Sequence, residues 1–536
     1  MKKLRIALLP CLAAALLFCG IPLAATAELP ESYDPRPSGE VSAVFNQNPW
    51  GICWDAGGIS TLENYLIHAG LADSSIDLSE EHLLWACFRE MNQEDASGYG
   101  WTNVRRSDGG YSDMVTGYLA SWTGPKAEDE IPYYNGSEDF YVSLPLPENY
   151  DSAPVLYQVT DIVYLNGVSQ SELKQAILDY GAICASYYDS TEYLNEEHAA
   201  YWYDGSTGMN GNHTVSIVGW DDNFPKEYFD TGHGTPSEDG AWLIKNSYGE
   251  EYGDGGYNWI SYEDAELFQT AEHNDVYAIA GARTPRDCNV YALDEYGATT
   301  LKTSQGAELG GLNLFTFGED EVLDEIMFMT TAKGASYTLY YVPVSGGVPT
   351  SDSSQMTVLA SGTVDHAGYT TVALEEPFAV PAGEGGIALV LEGSSLSIGA
   401  DGSLLENSQT LFNAQVERGE SFQLENGAWV QAEDSGEPIN FSLKAYTVAA
   451  EESGEANDPA PTATATPEAT QSPAAEPTAA APAVKATPTP EASPSASADV
   501  PQTNDPTASP WLYVGIAAAA VVILIVAIVL LRRRRK

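Results

Sequence analysis

Residues 451–510 are built almost wholly from Ala, Pro, Thr, Ser and Glu, and this stretch limits where the chain can fold. With so few large apolar side chains it cannot bury enough surface to offset the entropy of ordering its backbone. The expectation is a disordered stalk which, extended at about 3 Å per residue, reaches on the order of 180 Å. The folded part must then lie before it. Cys53, Cys87, Cys184 and Cys288 belong to that part, while Cys11 and Cys19 fall in an apolar N-terminal segment. Four cysteines are too few to staple so long a scaffold, so large hydrophobic cores must hold it.

The two ends read as export and retention signals. MKKLR, the apolar run Ile6 to Leu17 and the small-residue site Ala25-Thr26-Ala27 form the three parts of a secretory signal peptide over residues 1–27, with the mature chain starting near Glu28. The bulky Phe18 disfavours lipid attachment at Cys19. Residues 511–531 hold 21 residues without a charge, followed by RRRRK at 532–536, the pattern of a transmembrane or sorting-signal helix with a basic cytoplasmic tail. Just before it, Val500, Pro501, Gln502, Thr503 and Asn504 resemble the cell-wall sorting signal of Gram-positive surface proteins, with Val500 where leucine is usual and Asn504 where glycine is usual. The chain is expected at the surface of a Gram-positive-type bacterium, fixed by its C-terminus to wall or membrane. Once both end segments are set aside, 15 basic residues face 76 acidic ones. That excess repels nucleic acid and anionic membrane faces, which excludes both as partners.

The folded part changes character near residue 284. Residues 28–283 are rich in Trp, Tyr and Gly, and Leu78 to Phe88 reads as a helix after an acidic start. Residues 284–450 carry short β-rich runs, "ASYTLYYVPV", "YTTVALEEPFAV" and "GIALVLEG", separated by Gly, Ser and Pro turns, which points to an all-β sandwich.

Within the first part, "NQNPWGICWDAGGISTLENYL" places Cys53 between a turn and an apolar stretch. Ile59, Leu62 and Leu66 repeat at i, i+3 and i+7, so a helix starting at Cys53 buries that stripe and sets the sulfur at its positive end. A buried structural cysteine shows the same pattern, and a nucleophile needs a base nearby. Of the seven histidines, His213 opens the strand-like "NHTVSIVGWDD" and is placed to be held rigidly. Asn246 follows the strand-like "GAWLIK", where an amide can fix the imidazole's orientation.

Together these segments resemble the papain family of cysteine peptidases. The matching stretches are "NQNPWGICW", "DLSEEHLL", "DGGYSDMV", "NHTVSIVGW" and "GAWLIKNSYGEEYGDGGYNWI", in the family's order over most of residues 29–265. The resemblance implies an α+β fold, with a two-lobed catalytic domain of one helical lobe and one β-barrel-like lobe. It implies Cys53 as nucleophile, His213 as general base and acid, Asn246 as the orienting amide and Gln47 as the side-chain donor of the oxyanion hole. Gly109 and Gly110 fall where the family's substrate-binding backbone runs. Residues 284–450 more loosely resemble the lectin-like domain that follows such peptidases on bacterial surfaces, with Trp429, Tyr340 and Tyr341 either stacking on a glycan or filling the core. No cofactor and no metal are implied.

The chain departs from the family at several positions. Asp55 and Ala56 stand where the family has Ala and an aromatic residue, and a carboxylate there either caps the helix or opposes the thiolate. Gly57 and Gly58 each cost a helix about 1 kcal/mol unless close packing needs them. Trp50 replaces a disulfide cysteine, so Cys87, near the usual partner's place, is expected to be free. Tyr248 replaces a shielding tryptophan. "LPESYDPR" resembles a mature N-terminus and follows the signal directly, leaving no room for an inhibitory propeptide. The expected function is a surface cysteine peptidase acting on peptides or proteins through a Cys-His-Asn acyl-enzyme. The alternatives are a non-catalytic adhesin or glycan-binding protein on the same scaffold, favoured by Asp55, and a transferase or isopeptidase with an amine acceptor.

Overall fold

A computed structural model describes residues 29–88, 99–102, 105–140, 144–269, 276–406, 409–435 and 438–450. The signal peptide, stalk, sorting motif Val500 to Asn504, apolar span and basic tail lie outside them. Among the described residues no helix is long and apolar enough to cross a membrane.

Among the described residues the first part has four α-helices: α1 (Cys53–His68), α2 (Glu80–Phe88), α3 (Ser112–Ser121) and α4 (Gln170–Tyr180). The stripe Ile59, Leu62 and Leu66 is fully buried, but so is nearly every other face of α1, thirteen of whose sixteen residues are buried. α1 is thus a central helix, packed on α2, α3 and the strands His213–Asp221 and Tyr277–Arg283. Its two glycines make this possible. A Cβ on Gly57 would lie 3.2 Å from the Thr214 side chain and 3.3 Å from its backbone, and one on Gly58 would meet Val115 at 2.6 Å and the Tyr277 hydroxyl at 2.8 Å. α2 begins two residues later than the sequence suggests, because Ser79 acts as its cap. The Ser79 hydroxyl accepts from the His82 N–H at 3.0 Å, while the Leu78 N–H donates to Glu63 at 2.9 Å. A capping box of Ser169 and Glu172 starts α4.

The helical lobe faces a lobe of antiparallel strands in the order Gln158–Tyr164, Tyr277–Arg283, Ile183–Tyr187, His213–Asp221, Ala241–Lys245 and Tyr257–Ser261. The N-terminal "LPESYDPR" adds an edge, pairing Ser32 with Asp221 and Tyr33 with Trp220. The second part is a β-sandwich. The runs read as β-rich form strands Ser336–Ser345, Gly368–Ala379 and Gly383–Glu392, and residues alternating inward from both sheets, such as Leu323, Phe328, Leu339, Ile387, Leu389 and Phe441, share one core. Trp429 and Tyr341 are buried in sandwich cores and Tyr340 packs against one, so these rings serve packing.

The two parts are joined more closely than a following domain suggests. Gly368 and Tyr369 pair with Val163 and Ile162, so one thirteen-stranded sheet runs through both. Trp101 pairs with Phe412, and Trp122 stacks on Tyr446 with centroids 3.8 Å apart. Arg283 grips Glu325 with two bonds of 2.6 and 2.7 Å.

Candidate active site

The turn before α1 and the strand His213–Asp221 bring the sequence-derived residues together at the junction of the two lobes. Cys53 is the first residue of α1 and half-buried, so its sulfur meets unpaired N–H groups of the first turn. Burial pushes its thiol up, but the hydrogen bond and charge of His213 and the N–H groups of Thr214 and Trp54 outweigh it and hold it below the ordinary thiol value. His213 is the complement. Burial pulls it down, yet Cys53, the charge of Asp189 and the Asn246 amide together lift it above the usual imidazole value. This is the electrostatic pattern of a thiolate–imidazolium pair.

Asn246 Oδ1 accepts from the Ser247 N–H at 2.8 Å, which fixes the orientation of the amide. The same oxygen lies 2.9 Å from His213 Nε2 and accepts its proton, leaving Nδ1 toward Cys53. Tyr248 stacks on the imidazole at 4.7 Å and 14°, so it covers the ring. Gln47 is locked from both sides. Its Nε2 donates to the Trp50 carbonyl at 2.9 Å, its Oε1 accepts from the Ser247 hydroxyl at 2.6 Å, and its N–H donates to the Ser247 carbonyl at 2.8 Å. One Nε2 hydrogen remains for a ligand beside the helix N-terminus.

Gly109 and Gly110 lie on the segment that crosses this turn. Gly109 takes φ +75°, and a Cβ on Gly110 would meet the Trp54 indole at 2.4 Å, so only glycine lets this backbone run against the residue after Cys53. Cys87 is free and buried, and Trp50 Nε1 donates to the Tyr134 carbonyl at 2.9 Å where the family has a disulfide.

Asp55 neither caps the helix nor faces the sulfur. Residues at i and i+2 on a helix point apart, and Asp55 turns into a buried acidic cluster with Glu80, Glu81 and Glu128 beside Arg106. Arg106 pairs with Glu81, one bond being 2.8 Å, while both Asp55 oxygens are buried without a hydrogen-bond partner. Burial, reinforced by Glu81 and Glu128 against Arg106, pushes the Asp55 carboxyl well above its usual range, and burial raises Glu128 to about 7. A carboxyl raised in the folded state above an unfolded value near 4 contributes its full stability below that value and loses it as pH rises through the folded value. Asp55→Ala removes this loss. Relative to the parent, the variant is expected to gain about 1 kcal/mol or more between about pH 5 and pH 8, read by urea unfolding at both. An equal difference at the two pH values would contradict it.

No motif in the sequence marks Asp189, which sits in the loop after Ile183–Tyr187 and accepts from the Tyr248 hydroxyl at 2.9 Å. Only Asn212, beside His213 in the chain and bonded to the Asp189 N–H at 2.6 Å, hints at it.

Comparison with known proteins agrees with this geometry. The model of the papain family cysteine protease matches residues 29–278, and that of a lectin like domain matches residues 290–447. Fruit bromelain of Ananas comosus is 27% identical over 232 residues, 43% of this chain and 54% of that protein, so the chain spans about half of bromelain's length. Macrodontain-1 of Ananas macrodontes is 25% identical over 43% of this chain and 87% of its own. The cysteine protease and lectin-like domains of Cwp84, a surface layer associated protein of Clostridium difficile, superpose with a TM-score of 0.70 at 34% identity, covering 79% of this chain and 89% of that one. Cwp84 after propeptide cleavage gives the same score and identity over 78% of this chain and 99% of that one. The chain therefore belongs to the papain family of cysteine proteases, with a lectin-like domain after the protease fold.

Proposed function

We propose that this protein is a cell-surface cysteine peptidase that hydrolyses peptide bonds through an acyl-enzyme on Cys53. The observation that carries the reading is His213 held between two partners, with Nε2 tied to Asn246 at 2.9 Å and a hydrogen bond and charge shared with Cys53. The Cys53 thiolate attacks the scissile carbonyl carbon. The oxyanion is held by the Cys53 N–H and the remaining Gln47 Nε2 hydrogen. His213 Nδ1–H protonates the leaving amine, then the neutral ring takes a proton from water, which attacks the thioester; the acid is released and the Cys53 thiolate leaves beside the re-formed His213 imidazolium. The Gly109-Gly110 backbone is the strand-like partner for the bound peptide.

Gln47→Ala is expected to lower kcat by about 10²-fold with KM nearly unchanged, since the donor acts on charge that develops in the transition state; a rise in KM alone would contradict that role. The working pH window lies between the two shifted groups. Activity rises as Cys53 ionises below the usual thiol range and falls as His213 loses its proton above the usual imidazole value.

Export by residues 1–27 and retention by residues 500–536 would keep this activity outside the cell, in keeping with the similarity to Cwp84, itself a surface layer associated protein. The match of residues 290–447 to a lectin like domain supports a glycan or cell-wall partner for the second part. With Trp429 and Tyr341 in the core, such a partner would be held by other residues. The test is hydrolysis of denatured protein and of fluorogenic peptide pools by the parent and by Cys53→Ala. Thiol-dependent cleavage by the parent alone supports a peptidase. Cleavage by neither, with both folded, would favour a binding protein.

A further inference from the structure

The back of the His213 ring is tied to a carboxylate through a phenol. The Tyr248 hydroxyl donates to Asp189 Oδ2 at 2.9 Å, and its oxygen lies 3.3 Å from His213 Nδ1. Because the two rings stack at 14°, this oxygen approaches Nδ1 from the ring face and leaves the in-plane position to Cys53. Asp189 is held in turn. The Tyr187 hydroxyl donates to Oδ1 at 3.2 Å, the Asp189 N–H donates to Asn212 Oδ1 at 2.6 Å, and Asn212 Nδ2 donates to the Asp189 carbonyl at 3.1 Å.

A phenol whose proton is held by a carboxylate carries more negative charge on its oxygen, and here that oxygen faces the ring that must be cationic in the resting pair. The groups around the ring come from every element packed on it. Cys53 comes from α1, Tyr187 from the strand Ile183–Tyr187, and Asn246 and Tyr248 from the loop after Ala241–Lys245, with Tyr252 packed on Tyr248 at 5.0 Å. Asp189 is the carboxylate among the groups that lift His213.

We propose that Asp189, acting through the Tyr248 hydroxyl, is a positioning residue that holds His213 as imidazolium and extends the activity of the Cys53–His213 pair to higher pH. The proposal rests on the peptidase reading above. Without Asp189 the ring faces a phenol whose oxygen is less negative and sheds its proton more readily, so the pair fails earlier on the alkaline side. The thiolate is formed mainly by other groups, and the acid limb stays close to its place.

The test uses the full chain and two readouts across about pH 4 to 10, kcat/KM on a peptide substrate and the rate of Cys53 alkylation by iodoacetate, an anion whose attack by the thiolate is speeded by the adjacent imidazolium and needs no substrate. Asp189→Asn and Tyr248→Phe are both expected to move the descending limb of both profiles to lower pH while keeping rates near pH 6 within a few-fold. The ratio of the rate at pH 8.5 to that at pH 6 falls about threefold or more, the change that half a pH unit makes on a single-proton limb. Asp189→Glu restores part of the limb. A uniform loss at all pH values with the limb in place marks a structural role and overturns the proposal, as does an unchanged profile in both variants. A parent protein whose Cys53 alkylates like an ordinary thiol removes the peptidase reading itself, an outcome read from the parent alone.

Discussion

Replacing His213 with alanine is expected to lower kcat/KM by about 10²- to 10⁴-fold, the usual contribution of a positioned general acid and base, and to return Cys53 to the reactivity of an ordinary half-buried thiol. The reason lies in how Cys53 is balanced. Burial alone drives its thiol up, and the opposing pull comes chiefly from the His213 hydrogen bond and charge, with smaller help from the Thr214 and Trp54 N–H groups. Without the ring, only the helix N-terminus and the smaller Thr214 and Trp54 donors oppose burial. The leaving amine also loses its proton donor, so acylation and deacylation both slow. Steady-state assays beside circular dichroism would separate this from unfolding. A folded His213→Ala protein that keeps a tenth of the parent's activity would contradict the role assigned to the ring.

Ending the chain after Arg283 is expected to cost the peptidase lobe its fold. The core around α1, α2 and α3 is completed by Tyr296, Met327, Met329, Tyr369, Phe412 and Tyr446 from the lectin-like part. At about 1.5–3 kcal/mol for each such side chain buried, they supply on the order of 10 kcal/mol, comparable with the whole stability of a domain. Their partners Trp101, Trp122 and Tyr164 would be left against water, and the strand Gln158–Tyr164 would gain an open edge at Ile162 and Val163. The shortened protein is expected to be insoluble or to lack a near-ultraviolet circular dichroism signal. A soluble fragment that melts with the parent's cooperativity would show that the shared core contributes little.

How much of this was legible in the sequence depends on the range of each interaction. Cys53 and the stripe Ile59, Leu62 and Leu66 follow helical spacing, and the strands of the sandwich follow alternation and turns, all within a dozen residues. Gln47, His213 and Asn246 are far apart but sit in segments whose order is distinctive. The rotation of Asp55 away from the sulfur follows from its helical phase, but its burial among Glu80, Glu81 and Glu128 depends on how α2 and the 126–134 segment pack. The shared core and the continuous sheet join residues some 200 positions apart through single pairs such as Ile162 with Tyr369, which leave no periodic trace. Asp189 bears on His213 by its charge and through Tyr248, from a loop with no pattern.

Whether Cys53 is an activated thiolate is tested most directly by titrating the folded protein with an epoxysuccinyl affinity label and locating the adduct by mass spectrometry, with Cys53→Ala and His213→Ala as controls. One label per chain, placed on Cys53, absent from Cys53→Ala and strongly reduced in His213→Ala, is the result expected. Folded protein that stays unlabelled at Cys53 while its pH and concentration suit the reaction would contradict the activation of that thiol.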